Sequence, residues 1–110
     1  MTSEKLEPRL QREIGAVKEA GHGDRKIPVL IEHVEAVFAR EGGDVADLEA
    51  RVRHLQKGIV DQLSQFGAPD IQQSVLANLI SASLEPRQIE VIADRDDVKV
   101  VRLNREEQVT

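Results

Sequence analysis

The segment 78–103 constrains the fold more than any other part of the chain, because its residues punctuate themselves as strand, helix, strand. Ile80, Ala82 and Leu84 alternate with Ser81 and Ser83, the period-two pattern of a strand with one face buried and the other wet. Pro86 follows directly, and proline suits the first turn of a helix, where its missing N–H has no partner to lose. Ile89, Ile92 and Ala93 then recur at three- and four-residue steps on one helical face. Asp94 to Asp97 closes the helix, and the apolar residues from Val98 to Leu103 read as a second strand.

Upstream, residues 27–34 form a short β-rich apolar run that reads as the first strand, and Pro28 places it at a sheet edge or just at its beginning. Gly42 and Gly43 break the chain. Asp44 is a good N-cap, and a long helix is expected behind it, with Val45, Leu48, Val52, Leu55, Ile59, Leu63 and Phe66 on one stripe. Gly67 closes that helix, while Asp47, Glu49, Arg51, Arg53 and Lys57 give it a solvated surface. Propensity alone fits residues 71–77 to strand or helix. A short connection to the strand at Leu79 selects strand, as half of an antiparallel pair. The order becomes βαββαβ, so the fold class is α+β and ferredoxin-like: a four-stranded antiparallel sheet with two helices on one face.

Ahead of this unit, residues 3–20 read as a further amphipathic helix, with Leu6, Leu10, Ile14 and Val17 on one side and Pro8 in its first turns. The stripe either packs against the domain or docks another helical protein. The chain thus divides into an amino-terminal helix and linker (1–25), the βαββαβ domain (26–104) and a tail (105–110).

At 110 residues there is one domain with one modest core, and two phenylalanines as the sole aromatics leave that core aliphatic. Without cysteine there are no disulfides or thiolate metal sites. No apolar run approaches the roughly 20 residues of a membrane span, and the polar start lacks the apolar stretch of a secretion signal. A cytoplasmic protein is the expectation. A net charge of −5 argues against nucleic acid, which is held by clustered Lys and Arg.

The pattern in 26–104 resembles the propeptides of subtilisin-like proteases and their stand-alone inhibitor relatives. The residues that carry the resemblance are Asn78, the Ile80/Ala82/Leu84 register, the helix start Pro86-Arg87-Gln88-Ile89, and Asp97-Val98 followed by Val101. The chain departs from that family at Leu79, where glycine is usual, at Glu85, where Ser or Thr caps the helix, and at Arg102-Leu103, which replace Glu-Pro. The resemblance implies a ferredoxin-like fold and a protein that binds a subtilisin-like serine protease as inhibitor, folding chaperone or both. It implies that the open sheet face docks on the protease; here that face would carry Leu30, Leu79, Ser81, Ser83 and Val100. It implies further that the carboxyl-terminal tail lies in the active-site cleft. Thr110 would sit beside the catalytic serine, with Val109 and Gln108 behind it and Glu107 in the fourth pocket. Two linked weak contacts then reinforce one another.

The open face also bears on the alternatives. An antiparallel sheet with helices on one side should be polar on the other. Here Leu30, the adjacent Val75 and Leu76, and Val100 suggest an apolar cover: the amino-terminal helix, a second copy of the chain, or a partner protein. A homodimeric regulatory or adaptor module is therefore the competing expectation.

Catalytic patterns are missing. His22, His33 and His54 are scattered, with no pair on one helical turn and no cysteine to join them in a metal site. Ser74, Ser81 and Ser83 lack a nucleophile elbow, and neither Gly21-His22-Gly23 nor Gly42-Gly43 forms a phosphate loop. The chain is expected to be no enzyme and to need no cofactor or metal. The sheet lacks the aromatics on which an RNA-binding version of this fold stacks bases.

Overall fold

The alternation of apolar and polar residues at 80–84 requires a sheet that is buried on one side, and the computed structural model shows it. The structure describes residues 2–35, 44–74 and 77–104. Its elements in chain order are α1 (Pro8–Glu19), β1 (Ile27–His33), α2 (Val45–Gln65), β2 (Gln72–Ser74), β3 (Leu79–Leu84), α3 (Pro86–Ala93) and β4 (Val98–Leu103), with a 3-10 turn, Thr2–Lys5, ahead of α1. The strand order is β2-β3-β1-β4, and all three neighbouring pairs are antiparallel. Each helical crossover skips one strand: β3 lies between β1 and β2, and β1 lies between β3 and β4. This is the ferredoxin-like layout.

Ile27, Val29 and Ile31 of β1, Ile80, Ala82 and Leu84 of β3, and Val98, Val101 and Leu103 of β4 point into one core. Ile59 and Leu63 of α2 and Ile89, Ile92 and Ala93 of α3 cover them. Burying a side chain of this size contributes about 1.5–3 kcal/mol, so this aliphatic layer is the main source of stability. Val98 reaches the core through a bulge. Glu32 faces Val100 and His33 faces Val98, so Lys99 is an extra residue in β4 that turns Val98 inward alongside Val101.

Pro28 lies at the start of a central strand, not at a sheet edge. Its carbonyl accepts from the Asn104 N–H at 2.9 Å, one residue past the end of β4, so its missing N–H falls at the last step of the β1–β4 ladder. The first strand also ends one residue early, and Val34 beyond it is 46 % exposed.

The amino-terminal helix differs from expectation in two respects. It begins at Pro8 and not at residue 3, because a proline ring inside a helix collides with the preceding turn and forces the residue before it to be extended; Glu7 has φ −56° and ψ 141°. Leu6 instead makes a parallel bridge with Val101, and the Glu7 N–H donates to the Val101 carbonyl at 3.0 Å. The Glu7 carboxylate then accepts from the Leu103 N–H at 3.2 Å, so this short strap covers the outer edge of β4. Secondly, α1 lies on the same side as α2 and α3. Leu6, Leu10, Ile14 and Val17 are buried in the common core, and Lys18 pairs with Glu90 of α3 at 3.1 Å. The stripe that was a candidate docking surface is occupied by the chain's own core.

Both long helices end in the same way. Gly21 (φ 76°) follows α1 and Gly67 (φ 74°) follows α2, and each allows the next N–H to bond back five residues: His22 to Val17 at 3.0 Å, Ala68 to Leu63 at 3.1 Å. At its start α2 has the expected cap, the Asp44 carboxylate accepting from the Asp47 N–H at 2.8 Å. Its apolar stripe is shorter than expected. Val45 is 65 % exposed, and the buried positions are Val52, Gln56, Ile59 and Leu63. The strand expected within 71–77 is present as β2; Val75 and Leu76 lie outside the described residues, as do Gly42 and Gly43.

Candidate functional site

With all three helices on one side, the other side of the sheet has no covering element among the described residues. Alternation along each strand sets what it presents. Pro28, Leu30 and Glu32 from β1 and Leu79, Ser81 and Ser83 from β3 are half-buried between fully buried neighbours. Registration assembles these residues into rows across the sheet. One row runs Ser74, Leu79, Glu32, Val100, and the next runs Gln72, Ser81, Leu30, Arg102. All five residues expected on this face, Leu30, Leu79, Ser81, Ser83 and Val100, are therefore on it. The tail residues Glu107, Gln108, Val109 and Thr110 lie outside the described residues.

The face has two halves. Over β2, β3 and β1 it holds a shallow depression of about 420 Å³, bounded by Leu30, Leu79 and Ser81 with Gln72, Ser74 and Asn104 at the rim. Ser83 lies at its margin and is already engaged: its N–H and hydroxyl donate to the two Asp70 carboxylate oxygens at 3.0 and 2.9 Å. Asp70, two residues before the start of β2, thereby ties its carboxylate to β3 beyond the last β2–β3 pair. The other half, over β1 and β4, is charged. Glu32 accepts from Arg102 and pairs with Lys99, each at 3.4 Å. The apolar cover inferred from Leu30 and Val100 is thus diluted by serines, glutamine and an ion cluster, and α1 does not supply it.

A polar network around one buried glutamine links α2 to β2 and to the residue before β3, behind this face. Gln56 of α2 is fully buried; its side chain donates to Asn78 Oδ1 and accepts from Gln73 Nε2, both at 3.0 Å. Asn78 also donates to the Glu35 carbonyl at 2.7 Å, while its backbone adopts a left-handed φ of 51°. Asparagine tolerates that conformation better than other non-glycine residues. Three side chains therefore tie α2, the edge hairpin and the end of β1 together.

No family model, curated protein or solved structure matches this chain. Its site is accordingly described by its own geometry. His33 is buried at the end of β1, where its Nδ1 accepts from the Glu35 N–H at 2.9 Å, while His22 and His54 are exposed on separate elements. Among the described residues, no three His, Asp or Glu side chains gather as a metal site, and no described helix is long and apolar enough to cross a membrane.

The strongest electrostatic pairing lies away from the face. Arg95 donates through Nε and Nη2 to the two Asp97 oxygens, each at 2.9 Å, in the loop between α3 and β4. These hydrogen bonds hold the Asp97 carboxyl below its ordinary value and raise the Arg95 guanidinium, against a smaller opposing effect of burial. The Lys5 ammonium donates to the Arg95 carbonyl at 2.6 Å, and the Val34 N–H donates to the Asp97 carbonyl at 3.0 Å. The loop thus anchors both the amino-terminal strap and the end of β1.

Sequence reasoning missed the Gln56 network and the Glu32 cluster. A glutamine on a helix otherwise reads as solvated, and its apolar neighbours Val52, Ile59 and Leu63 at three- and four-residue steps were the signal that position 56 shares their face. Glu32 had a signal too, since the alternation of β1 places it beside Leu30 on the open face.

Proposed function

We propose that the chain is a stand-alone propeptide-like protein that binds a subtilisin-like serine protease through the open sheet face and its carboxyl-terminal tail, as inhibitor, folding helper or both. The observation that carries this reading is the one-sided sheet: three helices on one face, and on the other a surface that no described element covers, where Leu30, Leu79 and Ser81 floor a depression. It is supported by the resemblance in 26–104, whose residues have structural roles here. Asn78 makes the left-handed turn into β3, Pro86 is the first residue of α3, and the Gln88 side chain accepts from the Glu85 N–H at 3.0 Å.

In this reading the protein is a non-catalytic, cytoplasmic binder without cofactor, and its partner gains stability by mass action because the chain binds the native protease and not the unfolded one. The adaptor variant, docking through the α1 stripe, loses its surface to the core. The test is to titrate a panel of subtilisin-like proteases with the full chain and with a version ending at Glu107, following hydrolysis of a small chromogenic peptide. Inhibition that weakens when Gln108, Val109 and Thr110 are lost supports the reading. No inhibition by either form, with a stable protease-free dimer in solution, favours a regulatory module that pairs through the same face.

A further inference from the structure

The charged half of the open face says what its partner must present. Lys99 and Arg102 are the cations there, and both lean on one carboxylate, Glu32, at 3.4 Å. Glu32 is the more buried member, with 24 % of its side chain exposed, whereas Lys99 and Arg102 keep 65 % and 45 %. The two cations can therefore turn outward to a second carboxylate without moving the backbone. Asp70, the acid at the opposite margin, has both oxygens committed to Ser83. Among the described residues, one end of the face thus has an excess of positive charge in a chain whose net charge is −5, and its other end is floored by leucine, with Asp70 as its one carboxylate.

From this arrangement we infer that the protease surface recognised by the face carries one or more carboxylate side chains opposite Lys99 and Arg102. An apolar side chain of the same surface sits in the Leu30–Leu79 depression, about 10 Å away, the separation of two strand spacings between β3 and β4. The inference rests on the reading of the face as a protease-docking surface and adds the chemistry of the partner. The ions serve mainly to orient the encounter and to reject basic surfaces, since exposed pairs steer association more than they tighten it. Glu32 sets the strength of this selection by neutralising one of the two cations.

The experiment measures association rates between the full chain and each panel protease, as active-site-blocked protein, over a range of salt concentrations. A Lys99→Glu/Arg102→Glu double variant should associate about tenfold more slowly at low salt, and the difference should close as salt is raised. Glu32→Gln, which frees both cations, should act in the opposite direction. Thermal melts confirm that both variants are folded. If both variants associate like the native chain while a folded Leu30→Asp variant does not bind, the face docks without using its cations and the inference falls while the reading stands. If the native chain binds no member of the panel, both fall.

Discussion

Gly58 of α2 lies directly against Arg95: a Cβ added at position 58 would stand 2.8 Å from Arg95 Nη2, closer than two such atoms can approach. The same guanidinium nitrogen is held by Asp97 at 2.9 Å, so the helix backbone, the arginine and the aspartate form one contact between α2 and the α3–β4 loop.

Gly58→Ala therefore sets two effects against each other. Alanine in a helix interior is worth about 1 kcal/mol over glycine, yet here it displaces the Arg95 fork from Asp97. The expected outcome is a near-neutral change in the native background and a gain of about 1 kcal/mol once Arg95 is replaced by alanine. A double-mutant cycle by urea unfolding measures the difference.

The Arg95–Asp97 pair also gives a pH dependence with a definite sign. The folded Asp97 carboxyl is held below its ordinary 3.8, so in that range the unfolded chain binds more protons than the folded one and stability rises with pH. The contribution of the pair is complete above the unfolded value and is lost as pH falls through the lowered folded one. Asp97→Asn should thus be less stable than the native chain at neutral pH, with the two unfolding curves converging below about pH 4.

Loss of Gln56 removes two hydrogen bonds, to Asn78 Oδ1 and from Gln73, each worth about 0.5–1.5 kcal/mol. At Asn78 itself the backbone matters as well. Asn78→Gly should be less harmful than Asn78→Ala by about 1 kcal/mol, because alanine bears the left-handed conformation poorly. Thermal denaturation of the three variants checks both expectations.

Because α1 is part of the core, removing residues 1–25 should unfold the domain and not merely shorten it. Leu10 is fully buried, and Leu10→Ala alone should cost about 2–5 kcal/mol, a large share of the stability of a domain this size. Circular dichroism of the truncated chain decides the point.

Much of this architecture was legible in the sequence where a residue's meaning is local. Asp44, Gly67 and Pro86 mark helix ends through their own backbone chemistry, and the β3 alternation names its buried face without reference to anything else. What was not legible depends on residues far apart in the chain. That Leu6 and Glu7 strap the edge of β4 depends on contacts with Val101 and Leu103 at the far end of the chain, and only the obstruction at Pro8 hinted that the helix stops short of them. The bulge at Lys99 depends on pairing with β1, and the ion cluster on Glu32 depends on the same pairing. The residues of the open face were legible one by one, and their division into a leucine-floored depression and a margin with paired cations was not.

The most direct test of the account is at Leu30, on the open face between Ser81 and Arg102. Leu30→Asp removes an apolar group from the half-exposed side of the sheet, so it should melt within a few degrees of the native chain. Titrated against a subtilisin-like protease that the native chain inhibits, the folded variant is predicted to lose inhibition by at least tenfold. Equal inhibition by native chain and variant would contradict docking through the sheet face.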